Sequence, residues 1–207
     1  MPNLAAVANA KPIAHLPVQS RLHYEGMPIP RDDEMSERSW KTKNPGPASY
    51  SPCLAYRYRL ERLLGAGSTA AFIMVNPSTA TEDTDDQTIL MVQNVCATFG
   101  IGRAIIGNMF AYRSKDVTDL AKVDDPVGPD NDKHLTQIAA EAEKIIVAWG
   151  VPEKLPESLR HRWRDVVAIL DSGGKPLHCL KHLARNHPRH PQILIHENPL
   201  PLWMRPL

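Results

Sequence analysis

Two periods of apolar and polar residues alternate along the chain, and each change of period marks an element. From Leu54 to Leu63 the sequence reads LAYRYRLERL, with Leu54, Tyr56, Tyr58 and Leu60 on one side and Arg57, Arg59 and Glu61 on the other. Period two of this kind predicts a half-buried strand. Gly65-Ala66-Gly67-Ser68 predicts the turn after it. Ala70 to Val75 (AAFIMV) is continuously apolar, as in a strand covered on both faces, and it stops at Asn76-Pro77-Ser78-Thr79. A helix is predicted from Asp85 to Phe99, with acidic residues at its positive end and Gly100 after its last turn. Ala104 to Phe110 reads as a second buried strand. Asp130 or Asn131 caps a helix through Glu143. Lys144 to Trp149 reads as a third buried strand, closed by Gly150. An amphipathic helix over Leu159 to Leu170 and a short strand over Pro176 to Leu180 complete the series. Strands alternating with helices predict an α/β fold: a three-layer sandwich with a mostly parallel central sheet.

Residues 1–50 show no sustained period and carry seven prolines (Pro2, Pro12, Pro17, Pro28, Pro30, Pro45 and Pro47). Proline removes a donor and disfavours helix in the residue before it. The expectation is a partly disordered extension over 1–50 and one α/β domain over 51–207. The length of 207 residues and the 43% hydrophobic content suit one such core. No run approaches the roughly 18 apolar residues of a membrane helix, so no membrane partner is expected. Cys53, Cys96 and Cys179 are odd in number and far apart, which suggests reduced core thiols in a cytoplasmic protein.

Charge changes the picture more than composition does. The net charge of +1 conceals −6 over residues 76–132 and +4 over 151–207. Arg160, Arg162, Arg164, Lys181 and Arg185 in that basic quarter are expected to meet nucleic-acid phosphates, against a plainly solvated surface as the alternative.

Open parallel sheets bind ligands beyond the carboxyl ends of their strands. The polar residues of this chain collect there. One strand delivers Asn76, Pro77, Ser78 and Thr79, the next Asn108 and then Tyr112 and Arg113, the third Trp149 and Gly150. The chain after the last strand delivers His187, Arg189 and His190. Asn offers a donor and an acceptor together and suits the edge of a base. Asn76 before a proline also suits a turn, and His190 read alone suits the surface. Asn108, set in an apolar run, needs partners for its amide. No Walker loop, G-x-G-x-x-G or G-x-S-x-G motif is present. Asp83, Asp85 and Asp86 fit an acidic helix start better than a magnesium site. His178 and His182 lack a third ligand. No metal and no cofactor is expected.

From Tyr56 to about Pro191 the chain resembles an uncharacterised bacterial and phage family, domain of unknown function 1643. The resemblance rests on Tyr56-Arg57-Tyr58-Arg59-Leu60, Phe72 to Ala80 (FIMVNPSTA), Asn108 to Arg113 (NMFAYR), Ala148-Trp149-Gly150 and Pro188-Arg189-His190-Pro191. The order of these motifs is also similar to the uracil-DNA glycosylase superfamily. In that group an Asn-Pro or Asp-Pro turn, a base-reading Asn, a Trp-Gly strand end and a His-Pro turn succeed one another. That similarity implies a uracil-DNA-glycosylase-like sandwich. It would have Asn76 position the attacking water, Asn108 read the base, and His190 hydrogen-bond the departing base as catalytic partner of Asn76. Pro77, Ser78, Thr79, Tyr112, Arg113 and Arg189 would line the substrate site. Trp149 and Gly150 would be structural. The turn after Asn76 lacks the Gly or Tyr-His of the glycosylases, and Arg-His-Pro-Gln lacks their Ser-Pro, which points away from uracil itself. The function expected is recognition of a nucleobase in DNA or a nucleotide, with hydrolysis of the N-glycosidic bond of an unusual or modified base. The alternatives are a non-catalytic nucleic-acid or nucleotide binding protein in DNA modification or phage–host conflict, and an enzyme of free nucleosides.

Overall fold

The computed structural model describes residues 40–191 and 198–206. Its strands are β1 (Trp40–Lys41), β2 (Ala48–Tyr50), β3 (Arg57–Leu63), β4 (Ser68–Met74), β5 (Thr84–Asp85), β6 (Ile101–Asn108), β7 (Lys144–Val147) and β8 (Leu177–Cys179). Its α-helices are α1 (Gln87–Phe99), α2 (Asn131–Glu141) and α3 (Arg162–Asp171). Six strands form one sheet in the order β2-β3-β6-β4-β7-β8, while β1 and β5 pair separately. The β6-β4-β7-β8 portion is parallel, and β3 and β2 are added antiparallel at one edge.

The two faces of the sheet bury different helices. Ala70, Phe72, Ala104, Ile106 and Ile146 pack with Ile89, Val92, Val95 and Cys96 of α1. Ala71, Ile73, Ile105, Ile145 and Val147 pack with Leu135 and Ile138 of α2 and with Val166 and Leu170 of α3. The layers are therefore α1, sheet, and α2 with α3. The long apolar runs become β4, β6 and β7 because both of their faces are covered. Helix α1 forms where the pattern places it. Asp86 caps it by accepting from the Ile89 backbone N–H, and Gly100 ends it at φ 63°, a left-handed conformation that suits glycine.

The chain leaves β4 toward α1 on one face. Both neighbours of β4, namely β6 and β7, lead to helices on the other face. Adjacent strands whose connections diverge in this way open a crevice at their carboxyl ends, here at the end of β4.

The structure corrects the pattern at several points. Residues 40–50, within the span read as an extension, carry β1 and β2. Residues 1–39 fall outside the described residues. Strand β3 starts at Arg57, not Leu54, and it is not half-buried. Arg57, Glu61 and Arg62 are all buried, whereas Leu54 and Leu63 are 61% and 51% exposed. Glu61 is covered by ion pairs to Arg59 and Arg103, both of which also reach Glu141 of α2. Asp85 lies in β5, outside α1, and pairs with Arg62. Cys96 and Cys179 are buried, while Cys53 is exposed. No helix among the described residues is long and apolar enough to cross a membrane.

Candidate functional site

Asn76, Asn108 and Gly150 end or follow the neighbouring strands β4, β6 and β7 at their carboxyl edge, and His190 lies against Gly150. Asn108 ends β6 directly beside Met74, the last residue of β4. Asn76 comes two residues later. Gly150 lies just past β7, whose Val147 pairs with Ile73. Neighbouring strands lie about 4.8 Å apart, so these strand ends span about 10 Å. Gly150 adopts φ +79°, and a Cβ built on it would stand 3.5 Å from Cβ of His190. His190 is thereby set against the end of β7.

The Asn76 turn is held by its own side chain. Its Nδ2 donates to the carbonyls of Pro77 (3.1 Å) and Ser114 (2.8 Å), and the Ser114 N–H returns a bond to the Pro77 carbonyl. The amide oxygen of Asn76 accepts nothing from the described residues. Pro77 is buried and Ser78 and Thr79 are half-buried. The clamp to Ser114 fixes the turn to the chain after β6, where Tyr112 lies edge-on to Tyr56 at 5.9 Å.

Asn108 is 1% exposed, and neither its Nδ2 nor its Oδ1 has a hydrogen-bond partner. A Cβ on Gly107 would meet Leu135 and Ile138 of α2, so by alternation Asn108 points to the α1 face. Its backbone is pinned from the other side: the Asn131 Nδ2 donates to the carbonyls of Asn108 and Met109 at 3.1 Å each. An orphaned buried amide costs roughly 1–3 kcal/mol per lost partner. Both amide atoms of Asn108 thus need partners that the described residues do not supply.

His190 is half-buried, and its pKa is pushed down to about 4, first by burial and then by the Lys154 charge. It is a neutral imidazole at pH 7. Trp149 packs at right angles to Trp203, with centroids 5.3 Å apart, on the α3 side.

Sequence reasoning missed Arg57. Its side chain is 2% exposed, its Nη1 donates to the Ala80 carbonyl, and its Nε is unpartnered. Arg113, which was expected, lies near it. Its Nη1 donates to the Leu54 carbonyl at 3.1 Å, its Cζ sits 5.2 Å from the centre of the Tyr50 ring, and its Nε is buried without a partner. The pattern gave no sign of Arg57, because alternation assigns it to the polar, outward side.

The expected phosphate contacts separate into two kinds. Arg162 is tied down: it bonds Asp132 with two nitrogens and the Met109 carbonyl with Nε, and its side chain is 9% exposed. Arg160 donates to the Leu155 carbonyl. Arg164 lies over the Trp163 ring and is exposed, and the Arg185 side chain is 82% exposed, 3.8 Å from Glu153. Lys181 is half-buried. Arg189 is half-buried with its Nε unpartnered, and its N–H donates to the Lys181 carbonyl. Arg160 and Arg162 are therefore engaged within the protein, whereas Arg164 and Arg185 are exposed.

Two of the acidic residues before α1 are occupied. Asp85 binds Arg62 and Asp86 caps the helix. His178 and His182 meet the backbone, at the Leu200 carbonyl and the Met204 N–H respectively. Among the described residues, no three His, Cys, Asp or Glu side chains are grouped to hold a metal ion.

The model of a protein family described as "Protein of unknown function (DUF1643)" matches residues 57–192. The chain belongs to that family. The matched span begins at Arg57 and takes in β4, β6, β7 and the turn that carries His190. No curated protein and no solved structure matches the chain.

Proposed function

We propose that the carboxyl edge around β4 recognises a nucleobase and that the chain hydrolyses its N-glycosidic bond. The observation that carries this reading is Asn108: a donor and an acceptor on one rigid strand end, buried, both unpartnered, and beside the Asn76 turn. A base edge presents the complementary pair, and burial makes a mismatch costly.

The neighbouring groups suit the bond-breaking step. A water hydrogen-bonded to Oδ1 of Asn76 attacks the anomeric carbon. The carbon–nitrogen bond breaks, and its electron pair moves onto the base. The imidazole N–H of His190, neutral at working pH, donates to the base oxygen where this charge collects. The water's proton ends on the departing base. One well-placed donor to developing charge is worth about 3 kcal/mol, or roughly a hundredfold in rate.

The test uses the full chain and single- and double-stranded oligonucleotides bearing deaminated, alkylated or otherwise modified bases, with abasic sites revealed by alkali. Strand breaks should appear for at least one base and fall about a hundredfold in His190→Ala. A panel without abasic product, alongside base-dependent binding that Asn108→Leu removes, would leave recognition standing and reject hydrolysis. Base-independent binding, or binding unchanged in Asn108→Leu, would reject both.

A further inference from the structure

The edge that carries Asn108 also holds two arginines, Arg57 and Arg113, that make no ion pair among the described residues and each keep a buried, unpartnered Nε. Strand β2 pairs Ser49 with Arg59 but Tyr50 with Arg57, so Tyr58 is an extra residue on β3. A bulge of this kind re-aims the side chain beside it. Arg59 meets Glu61 and Glu141 on the α2 face, whereas Arg57 reaches the Ala80 carbonyl on the α1 face. There it meets no carboxylate within ion-pair distance among the described residues. Asp86, the acid with most influence on it, is committed to capping α1 at 2.9 Å.

Arg113 approaches from the chain after β6 and is close enough for its charge to oppose that of Arg57. Burial, more than this repulsion, pushes Arg57 down to about 10. Glu82, which is exposed and feels the Arg113 charge, takes the Tyr50 hydroxyl at 3.0 Å. Each guanidinium keeps a buried, unpaired Nε–H. A buried charge without an ion pair costs several kcal/mol, and a like charge in reach adds to that cost. Arginine's planar fork matches the oxygens of a phosphate. Ser78 and Thr79 precede Ala80, whose carbonyl Arg57 meets, and Asp86, whose charge acts on Arg57, caps the first turn of the thirteen-residue helix α1.

We propose that Arg57 and Arg113 bind a phosphate group of the ligand, which makes the substrate a phosphorylated nucleoside and not a free base or nucleoside. The link between phosphate and base rests on the proposed role of Asn108, while the phosphate site itself stands without it. The phosphate belongs either to a free nucleotide or to a nucleic-acid strand.

Calorimetry on the full chain at fixed ionic strength tests this, with inorganic phosphate, a nucleoside 5′-monophosphate, the matching nucleoside and a single-stranded oligonucleotide as titrants. Wild-type protein should bind inorganic phosphate. Arg113→Gln, at a half-exposed position, should weaken phosphate and monophosphate about tenfold to a hundredfold and leave the nucleoside unchanged. Arg57→Lys, checked for folding by its melting temperature, should weaken phosphate as well, because it keeps the charge and loses the fork. Asn108→Leu should spare inorganic phosphate and weaken the nucleoside; if it weakens neither, the base-reading role fails and the phosphate site survives. Tighter binding of the monophosphate identifies a free nucleotide, and tighter binding of the oligonucleotide a strand. Absence of phosphate binding, or equal phosphate affinity in wild type and Arg113→Gln, overturns the proposal.

Discussion

Two arginines on β3, five residues apart, are buried to almost the same degree and treated in opposite ways. Arg62 is 0% exposed, and every nitrogen of its guanidinium is used: Nε on Asp85 at 2.7 Å, the others on the carbonyls of Glu61, Thr81 and Thr84. Arg57 is 2% exposed and has one carbonyl. The cost of taking each charge out of water is similar, and only at Arg62 does the protein itself offset it. Arg62 locks the segment between β4 and α1. Arg57, Arg113 and Asn108 leave donors and acceptors open at the end of the sheet. Polar groups that break the rule of satisfied burial are expected at functional sites, where stability is traded for ligand binding.

The sharpest way to break the contrast is to remove one partner at each place. Asp85→Ala should destabilise the protein by about 3–5 kcal/mol in urea unfolding, since it strands a fully buried guanidinium. Arg57→Met should leave stability unchanged or raise it by about 1–4 kcal/mol, because it removes a buried charge that has no ion pair. A loss at Arg57 as large as that at Asp85 would show that the two sites serve folding alike. Next in size, Asn108→Leu should raise stability by about 1–2 kcal/mol while base binding falls, because two orphaned polar atoms are replaced by apolar volume. A destabilised Asn108→Leu protein would mean that the amide is holding the fold.

The smallest effect is in pH. The folded pKa of His190 is about 4 and the ordinary histidine value is 6.5. The unfolded chain therefore binds the extra proton first, so stability is lost as pH falls from about 6.5 through 4 and is unaffected above that window. His190→Gln should reduce this acid-side slope. His134, His178 and His187 are also lowered by burial and keep part of it. An unchanged slope in His190→Gln would place His190 in solvent.

The carboxyl edge was legible in the sequence for a simple reason. Long apolar runs make parallel strands, and parallel strands deliver the residues after them to one side. Asn76, Asn108 and Gly150 were found in that way. His190 beside Gly150 came from the order of motifs, since nothing local in His-Pro-Arg-His-Pro fixes its neighbours. Strands β1, β2 and β5, of two or three residues each, are too short to show a period. Arg57 was hidden because its direction depends on a bulge set by pairing with Tyr50, which is a non-local fact. The polar side of β3 was read as facing water because alternation does not show that Glu141, about eighty residues on, would cover it.

The most direct test of a ligand site at the end of β4 is a crystal structure of the full chain grown with a nucleoside 5′-monophosphate. The base edge is expected on the Asn108 amide and the phosphate between Arg57 and Arg113. A ligand bound elsewhere, with Asn108 facing only its own protein, would contradict it.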